Sequence, residues 1–199
     1  MARLRDLAVP AGLLELIGAL EGVEIVRQRR HGSNRSLVSA ESDLDPASTR
    51  LLALTWWPAG LGALAVAIGL PGLAVSDRRR GRCVLAGIAV SGAGVAVRQW
   101  SIATLGRSFT GHVQVQAGQT VVATGPYRWL RHPAYAGQWL EMIGVGLATG
   151  NALGAAICAA VPLTGIVRRI SAEERALATL LPGYADYTEG KPRLVPFVW

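Results

Sequence analysis

Apolar side chains fall into five runs along the chain, separated by stretches rich in arginine, serine, glycine and proline. Several of these runs approach the roughly 20 residues that a helix needs to cross a ~30 Å hydrocarbon layer. The pattern predicts helical segments over Leu51 to Val75, Val84 to Leu105, Ala134 to Thr149 and Ala152 to Val167. The first run, Val9 to Val26, is interrupted by Glu15, Glu21 and Glu24. It reads either as a tilted span with its acids near the ends or as an amphipathic helix lying on the membrane surface. Between the first two runs, "RQRRHGSNRSLVSAESDLDPASTR" reads as an exposed loop, and "SDRRRGR" separates the second from the third. Gly106 to Arg131 reads as a long polar loop, extended over the membrane surface. Gly150 and Asn151 leave so short a turn that the last two segments form an antiparallel hairpin. Trp56 and Trp57 are expected to be an interfacial anchor.

Composition sharpens this picture. With 51% hydrophobic and 17% charged residues and a mean hydropathy of +0.33, composition favours an integral membrane protein over an ordinary soluble domain. The expectation is an all-α, multi-spanning helical membrane protein with about five transmembrane segments, forming one unit over residues 1–199. A net charge of +7 raises nucleic acid as a partner. However, the arginines sit in short clusters beside apolar runs, where loops face anionic headgroups, so nucleic acid is not expected. If the N-terminus is outside and all five segments cross, thirteen of the twenty Lys and Arg residues lie inside. "DRRRGR" is then an outer loop against that trend. Glutamates in the first run argue against a cleaved signal peptide. Cys83 and Cys158 lie in apolar segments without metal or redox spacing and read as small core residues.

Two rival chemistries fail on context. "GVGLATG", Gly144 to Gly150, has the look of a nucleotide-binding glycine loop, but it sits inside an apolar span. Gly146, Gly150 and Gly154 recur every fourth residue, as do Gly18 and Gly22, which is the spacing of small-residue helix packing. His31, His112 and His132 are far apart and lack partners at helical ligand spacing, so no metal is expected. Neither a nucleophile elbow nor a phosphate loop is present.

What remains is chemistry at one end of the hairpin. "GPYRWLRHPAYAGQWLE" leads into the fourth segment, and "RRISAEERALATLLPGYADYTEGKPRLVPFVW" follows the fifth. The hairpin brings Arg131 and His132 near Arg168, Arg169, Glu173 and Glu174. Such arginines could simply mark the membrane boundary, with the glutamates solvated on a following helix. The combination is more particular: a histidine fixed by proline at a helix entrance, several tyrosines, and Arg169 four residues before Glu173 on one helix face. Glu141, inside a span, is a functional candidate because buried membrane acids are costly, yet it could equally pair with Arg98.

"LGRSF", "QTVVATGPYRWLRHPAYAG", the Gly-Asn turn, "EERAL", "YADY" and "PRLVPF" occur in an order that resembles the isoprenylcysteine carboxyl methyltransferase family and its bacterial phospholipid methyltransferase-like relatives. The resemblance covers about residues 100 to 199. It implies an integral membrane enzyme that uses S-adenosyl-L-methionine, with 1–105 as the membrane-spanning N-terminal part and 106–199 as the catalytic part. By position it implies a cofactor shell of Gln114, Gln119, Thr120, Val121, Val122, Tyr127, His132, Pro133, Ala134, Tyr135 and Glu173, with Arg169 on the substrate. Gln119 stands where the family often has histidine.

The chemistry agrees with that implication. The cofactor carries a sulfonium, an ammonium and a carboxylate, so its pocket needs both signs of charge and an aromatic or amide surface for adenine. An acceptor carboxylate, ionised at pH 7, needs an orienting cation and no base, and Arg169 offers a planar fork. Substrate contact is expected from Arg169 and Glu141. The expected partner is a lipophilic acceptor from the bilayer, in a membrane of bacterial inner type with the site facing the cytoplasm. N-methylation of an amino-phospholipid headgroup, and a non-catalytic membrane scaffold, are the alternatives.

Overall fold

A computed structural model describes residues 7–32, 46–109, 118–196 and 199. Its long helices are α1 Ala8–Gly32, α2 Pro46–Gly69, α3 Asp77–Leu105, α4 Pro133–Ala148 and α5 Ala152–Leu180, followed by a short α6, Tyr184–Thr188. Single 3₁₀ turns lie at Pro71–Leu73, Gly106–Ser108 and Gly125–Arg128, and there is no named strand among the described residues. Among the described residues three helices, α2, α3 and α5, are long and apolar enough to cross a membrane. At 16 residues α4 measures about 24 Å, and α1 carries its glutamates.

All five segments read from the sequence are helices, but their ends differ. "DRRRGR" is not a loop: helix α3 begins at Asp77 and includes every one of those arginines. The polar stretch after the first segment is helical through Gly32, and α2 begins at Pro46 and ends at Gly69 rather than Val75. The fifth segment continues unbroken to Leu180, so Glu173 and Glu174 belong to α5 itself and not to a following helix. A 29-residue helix is about 44 Å long and overshoots a ~30 Å hydrocarbon layer. The overshoot carries the charges.

Helix α3 runs along α4, and α2 along α5, while α4 and α5 join the two pairs through their hairpin. Small residues allow the first contact. The buried positions of α3 are Gly87, Ser91, Gly94 and Ser101. A Cβ on Gly94 would stand 2.6 Å from the backbone of Gly137 and Glu141, and one on Gly144 would stand 2.5 Å from Gly87 O and Ser91 N. The Ser91 hydroxyl adds a hydrogen bond to Glu141 O at 2.9 Å. Of the glycines expected to pack, Gly146 and Gly154 do so, against Cys158 and Thr149. Gly150 instead serves the turn with φ of +62°, and Gly22 faces open space. Gly18 accommodates the Trp57 ring and Gly60 the Leu14 side chain, so α1 lies antiparallel to α2.

Of the two tryptophans expected as an anchor, Trp57 is exposed and Trp56 turns into the bundle. It is one of the largest fully buried side chains, 2% exposed, in a core with Leu14, Ile17, Met142, Val145, Cys158, Ile166 and Ile170. Cys83 is only partly buried. At one end of the bundle the two short turns are stitched together, with Val75 N donating to Gly150 O at 2.8 Å and the Asn151 side chain to Leu70 O at 3.0 Å. Asn151 also caps α5, accepting from Leu153 N and Gly154 N. At the opposite end lie the entrance of α4 and the end of α5, with Arg131, His132, Arg169, Glu173 and Glu174.

Candidate active site

Proline punctuation builds the entrance of α4. Gly125, at φ of +55°, starts a 3₁₀ turn with Pro126 behind it, and His132 then occupies the cap position ahead of Pro133. The tail after α6 is laid beside this entrance. Arg131 N donates to Pro192 O and His132 N to Arg193 O, both at 3.0 Å. The Tyr187 hydroxyl donates to Tyr127 O at 2.8 Å. Burial pushes the Tyr187 hydroxyl up to about 12, and raises that of buried Tyr127, with Glu173 adding to the effect.

His132 lies between neighbouring carboxylates of α5. Its Nδ1 is 3.6 Å from Glu173 Oε2, and its Nε2 is 3.3 Å from Glu174 Oε1. On the inner side, Glu173 Oε1 accepts from the Tyr135 hydroxyl at 2.5 Å and from Arg169 Nε at 3.2 Å. Arg169, 1% exposed, also donates from Nε to Tyr135 Oη at 3.1 Å, and its Nη1 reaches Ser48 Oγ at 3.4 Å and Thr49 Oγ1 at 2.5 Å. On the outer side, Glu174 takes Arg131 Nη1 at 3.1 Å and Arg193 Nε at 2.7 Å. Arg131 further donates to Lys191 O at 2.7 Å and Thr188 O at 2.9 Å. A buried cation held by a carboxylate, a phenol and hydroxyls can orient an anion beside it. The outer carboxylate locks the tail over the site.

The expected residues distribute unevenly. His132, Tyr135, Glu173 and Arg169 meet directly, and Pro133 and Ala134 are buried in the first turn of α4. Val121 packs with Leu177 and Tyr187 on buried Leu181 and Tyr184. Gln119 and Val122 are half-buried beside it in the chain, and Thr120 is exposed. Gln114 lies outside the described residues. Glu141 is buried on another face of α4, where it lines a small pocket with Ile17, Leu20, Glu21, Arg98 and Gln99. The ion pair of Arg98 there is with Glu21, at 3.4 Å, and Gln138 bridges them by donating to Glu21 at 3.0 Å. Sequence reading missed Ser48, Thr49 and the Glu21–Arg98 pair. The pair had a signal, since opposite charges inside two apolar runs seek each other. The hydroxyls had none.

Fold and site together define an integral membrane protein of bundled helices, with a buried arginine, tyrosine, glutamate and histidine network at one end. Residues 86–179 match the model of the Isoprenylcysteine carboxyl methyltransferase (ICMT) family. The match begins inside α3, earlier than the resemblance in sequence reached, and stops before the tail. Protein-S-isoprenylcysteine O-methyltransferase B of Arabidopsis thaliana is 32% identical over 108 residues, 53% of this chain and 55% of that one. Cobalt-zinc-cadmium resistance protein CzcN of Cupriavidus metallidurans is 31% identical over 97 residues, 48% of this chain and 45% of that one. The chain thus spans about half the length of the curated relatives it matches. The solved structure of the eukaryotic intramembrane Ras methyltransferase ICMT superposes with a TM-score of 0.58 over 81% of this chain and 55% of that one. At 24% identity it speaks to the fold alone.

Proposed function

We propose that the protein transfers a methyl group from S-adenosylmethionine to the carboxylate of a lipophilic acceptor of the isoprenylcysteine kind. The site opens to the cytoplasmic face of a membrane of bacterial inner type. The observation that carries this reading is the inner network, in which buried Arg169 is aligned by Tyr135 and Glu173 beside His132. The residues suit the cofactor. Both signs of charge are present, and the patch of Val121, Tyr184 and Tyr187 offers an adenine surface. The Tyr184 hydroxyl is buried there with no hydrogen-bond partner among the described residues, a donor that a ligand would satisfy.

In this reading His132 to Tyr135, Tyr127, Glu173, the run Gln119 to Val122 and, by position, Gln114 hold the cofactor. When bound, the cofactor supplies a methyl on a positively charged sulfur. Arg169 orients the acceptor carboxylate. That carboxylate is ionised at neutral pH, so the site needs no base, and correct placement can supply about 7–11 kcal/mol of the barrier reduction. Tail and entrance exclude water, with Glu174 holding them together.

Calorimetric titration of the purified protein in detergent with S-adenosylmethionine, followed by transfer of labelled methyl to a prenylated cysteine, tests the proposal. Saturable binding and a base-labile methyl ester are expected. Absence of binding would make the chain a scaffold, and labelling of phosphatidylethanolamine alone would overturn the carboxylate assignment. A single cysteine at Gly190, in a background without Cys83 and Cys158, should resist an impermeant thiol reagent on intact cells. Ready labelling would invert the orientation.

A further inference from the structure

Ser48 and Thr49 are the third and fourth residues of α2, outside the family match, and both meet the same guanidinium nitrogen of Arg169. Ser48 is fully buried and Arg169 is 1% exposed, so this contact is shielded from competing water. The other side of the guanidinium, through Nε, is held by Tyr135 and Glu173 from α4 and α5. Three helices therefore fix one planar group from two edges.

We infer that Ser48 and Thr49 are positioning residues for the methyl acceptor: they hold the plane of the Arg169 guanidinium in the orientation that receives the acceptor carboxylate. This rests on the function proposed above. A hydroxyl suits the task, because it accepts a hydrogen bond without adding a countercharge that would weaken the attraction for an anion. Glu173 and Tyr135 alone constrain only the Nε edge, and a guanidinium held at one edge can still swing about its last side-chain torsions. The close packing of α2 on α5 keeps the hydroxyls in reach: Gly165, one turn before Arg169, lies against Leu52 and Thr55. The N-terminal part of the chain thus reaches into the site with side chains as well as anchoring it in the membrane.

The test is the Ser48→Ala/Thr49→Val double variant of the full chain, beside Thr49→Ser. For the prenylated cysteine acceptor, kcat should fall about tenfold in the double variant. KM and cofactor affinity should stay within twofold, and Thr49→Ser should retain wild-type turnover. Unchanged kcat in a folded double variant would overturn the inference, and so would a parallel loss of cofactor affinity, which marks a merely structural role. A second readout is independent of turnover. In ¹⁵N-arginine spectra the Arg169 Nη–H signals, identified by their loss in Arg169→Lys, should exchange with water at least about tenfold faster in the double variant, because Nη1 is the nitrogen that the two hydroxyls hold. Unchanged exchange would overturn the clamp. If the clamp is seen but the wild-type protein methylates no carboxylate, the clamp stands, and the acceptor role assigned to it falls with the function proposed above.

Discussion

Replacing Glu174 by glutamine keeps the shape of the side chain and removes one charge from the point where the entrance, the tail and α5 meet. Three donors converge on this carboxylate: Arg193 at 2.7 Å, Arg131 at 3.1 Å and His132 at 3.3 Å. The Arg193 side chain is 40% exposed, so its share is that of a surface pair, below about 1 kcal/mol. Arg131 and His132 are 20% and 5% exposed. A hydrogen bond to a charged group contributes roughly 1.5–3 kcal/mol against about 0.5–1.5 for a neutral one, so each of these two contacts loses about 1 kcal/mol. The total is about 2 kcal/mol. The tail keeps its backbone bonds to Arg131 and His132, and Arg131 keeps its bonds to Lys191 O and Thr188 O, so the fold should persist. The loss should instead appear in the assembled site as cofactor affinity about thirtyfold weaker by calorimetry, since about 1.4 kcal/mol corresponds to tenfold. Arg193→Gln should weaken it less than about fivefold. Affinity within twofold of wild type for Glu174→Gln, with unchanged helicity, would refute the idea that this carboxylate holds the tail over the site.

The remaining predictions probe what supports the site. Gly144→Ala should destabilise the protein in a detergent thermal melt by about 1–3 kcal/mol, because its Cβ would meet the α3 backbone, whereas Gly22→Ala should be neutral or mildly stabilising. Equal effects from the two would refute the packing assignment. Arg98→Gln should lower the melting temperature by leaving Glu21 without its cation, at a cost of about 3–5 kcal/mol. Adding Glu21→Gln should recover part of that loss, and no recovery would show the pair to be uncoupled. Asn151→Ala should cost about 1–2 kcal/mol in the same melt through its lost cap and its lost bond to Leu70 O, and an unchanged melt would contradict both roles.

The contrast between Ser48 and His132 explains which parts of this molecule its sequence reveals. His132, Pro133 and Tyr135 form one contiguous stretch, and Arg169 and Glu173 are one helical turn apart, so local spacing places each set on a face before any tertiary contact is known. The hairpin turn at Gly150 and Asn151 then brings the two sets together, and the structure joins them through Tyr135 and His132. Ser48 and Thr49 arrive from more than a hundred residues away, on a helix whose apolar composition carries no chemical signal. The same limit governs the helix ends. Hydrophobic runs mark where chain crosses hydrocarbon. Beyond it, "DRRRGR" and the segment from Arg168 to Leu180 continue as helix with no apolar period to reveal them, because arginine, glutamate and alanine favour helix in water as well. The misread Trp56 has a related cause: tryptophan is common at membrane interfaces, but mid-helix position and neighbours decide burial, and here it fills the space between α1, α2, α4 and α5. A site assembled from helices far apart in sequence is therefore half legible. The half set by local spacing can be read, and the half set by which helix lies beside which, as with Ser48, Thr49 and the Glu21–Arg98 pair, has to be seen.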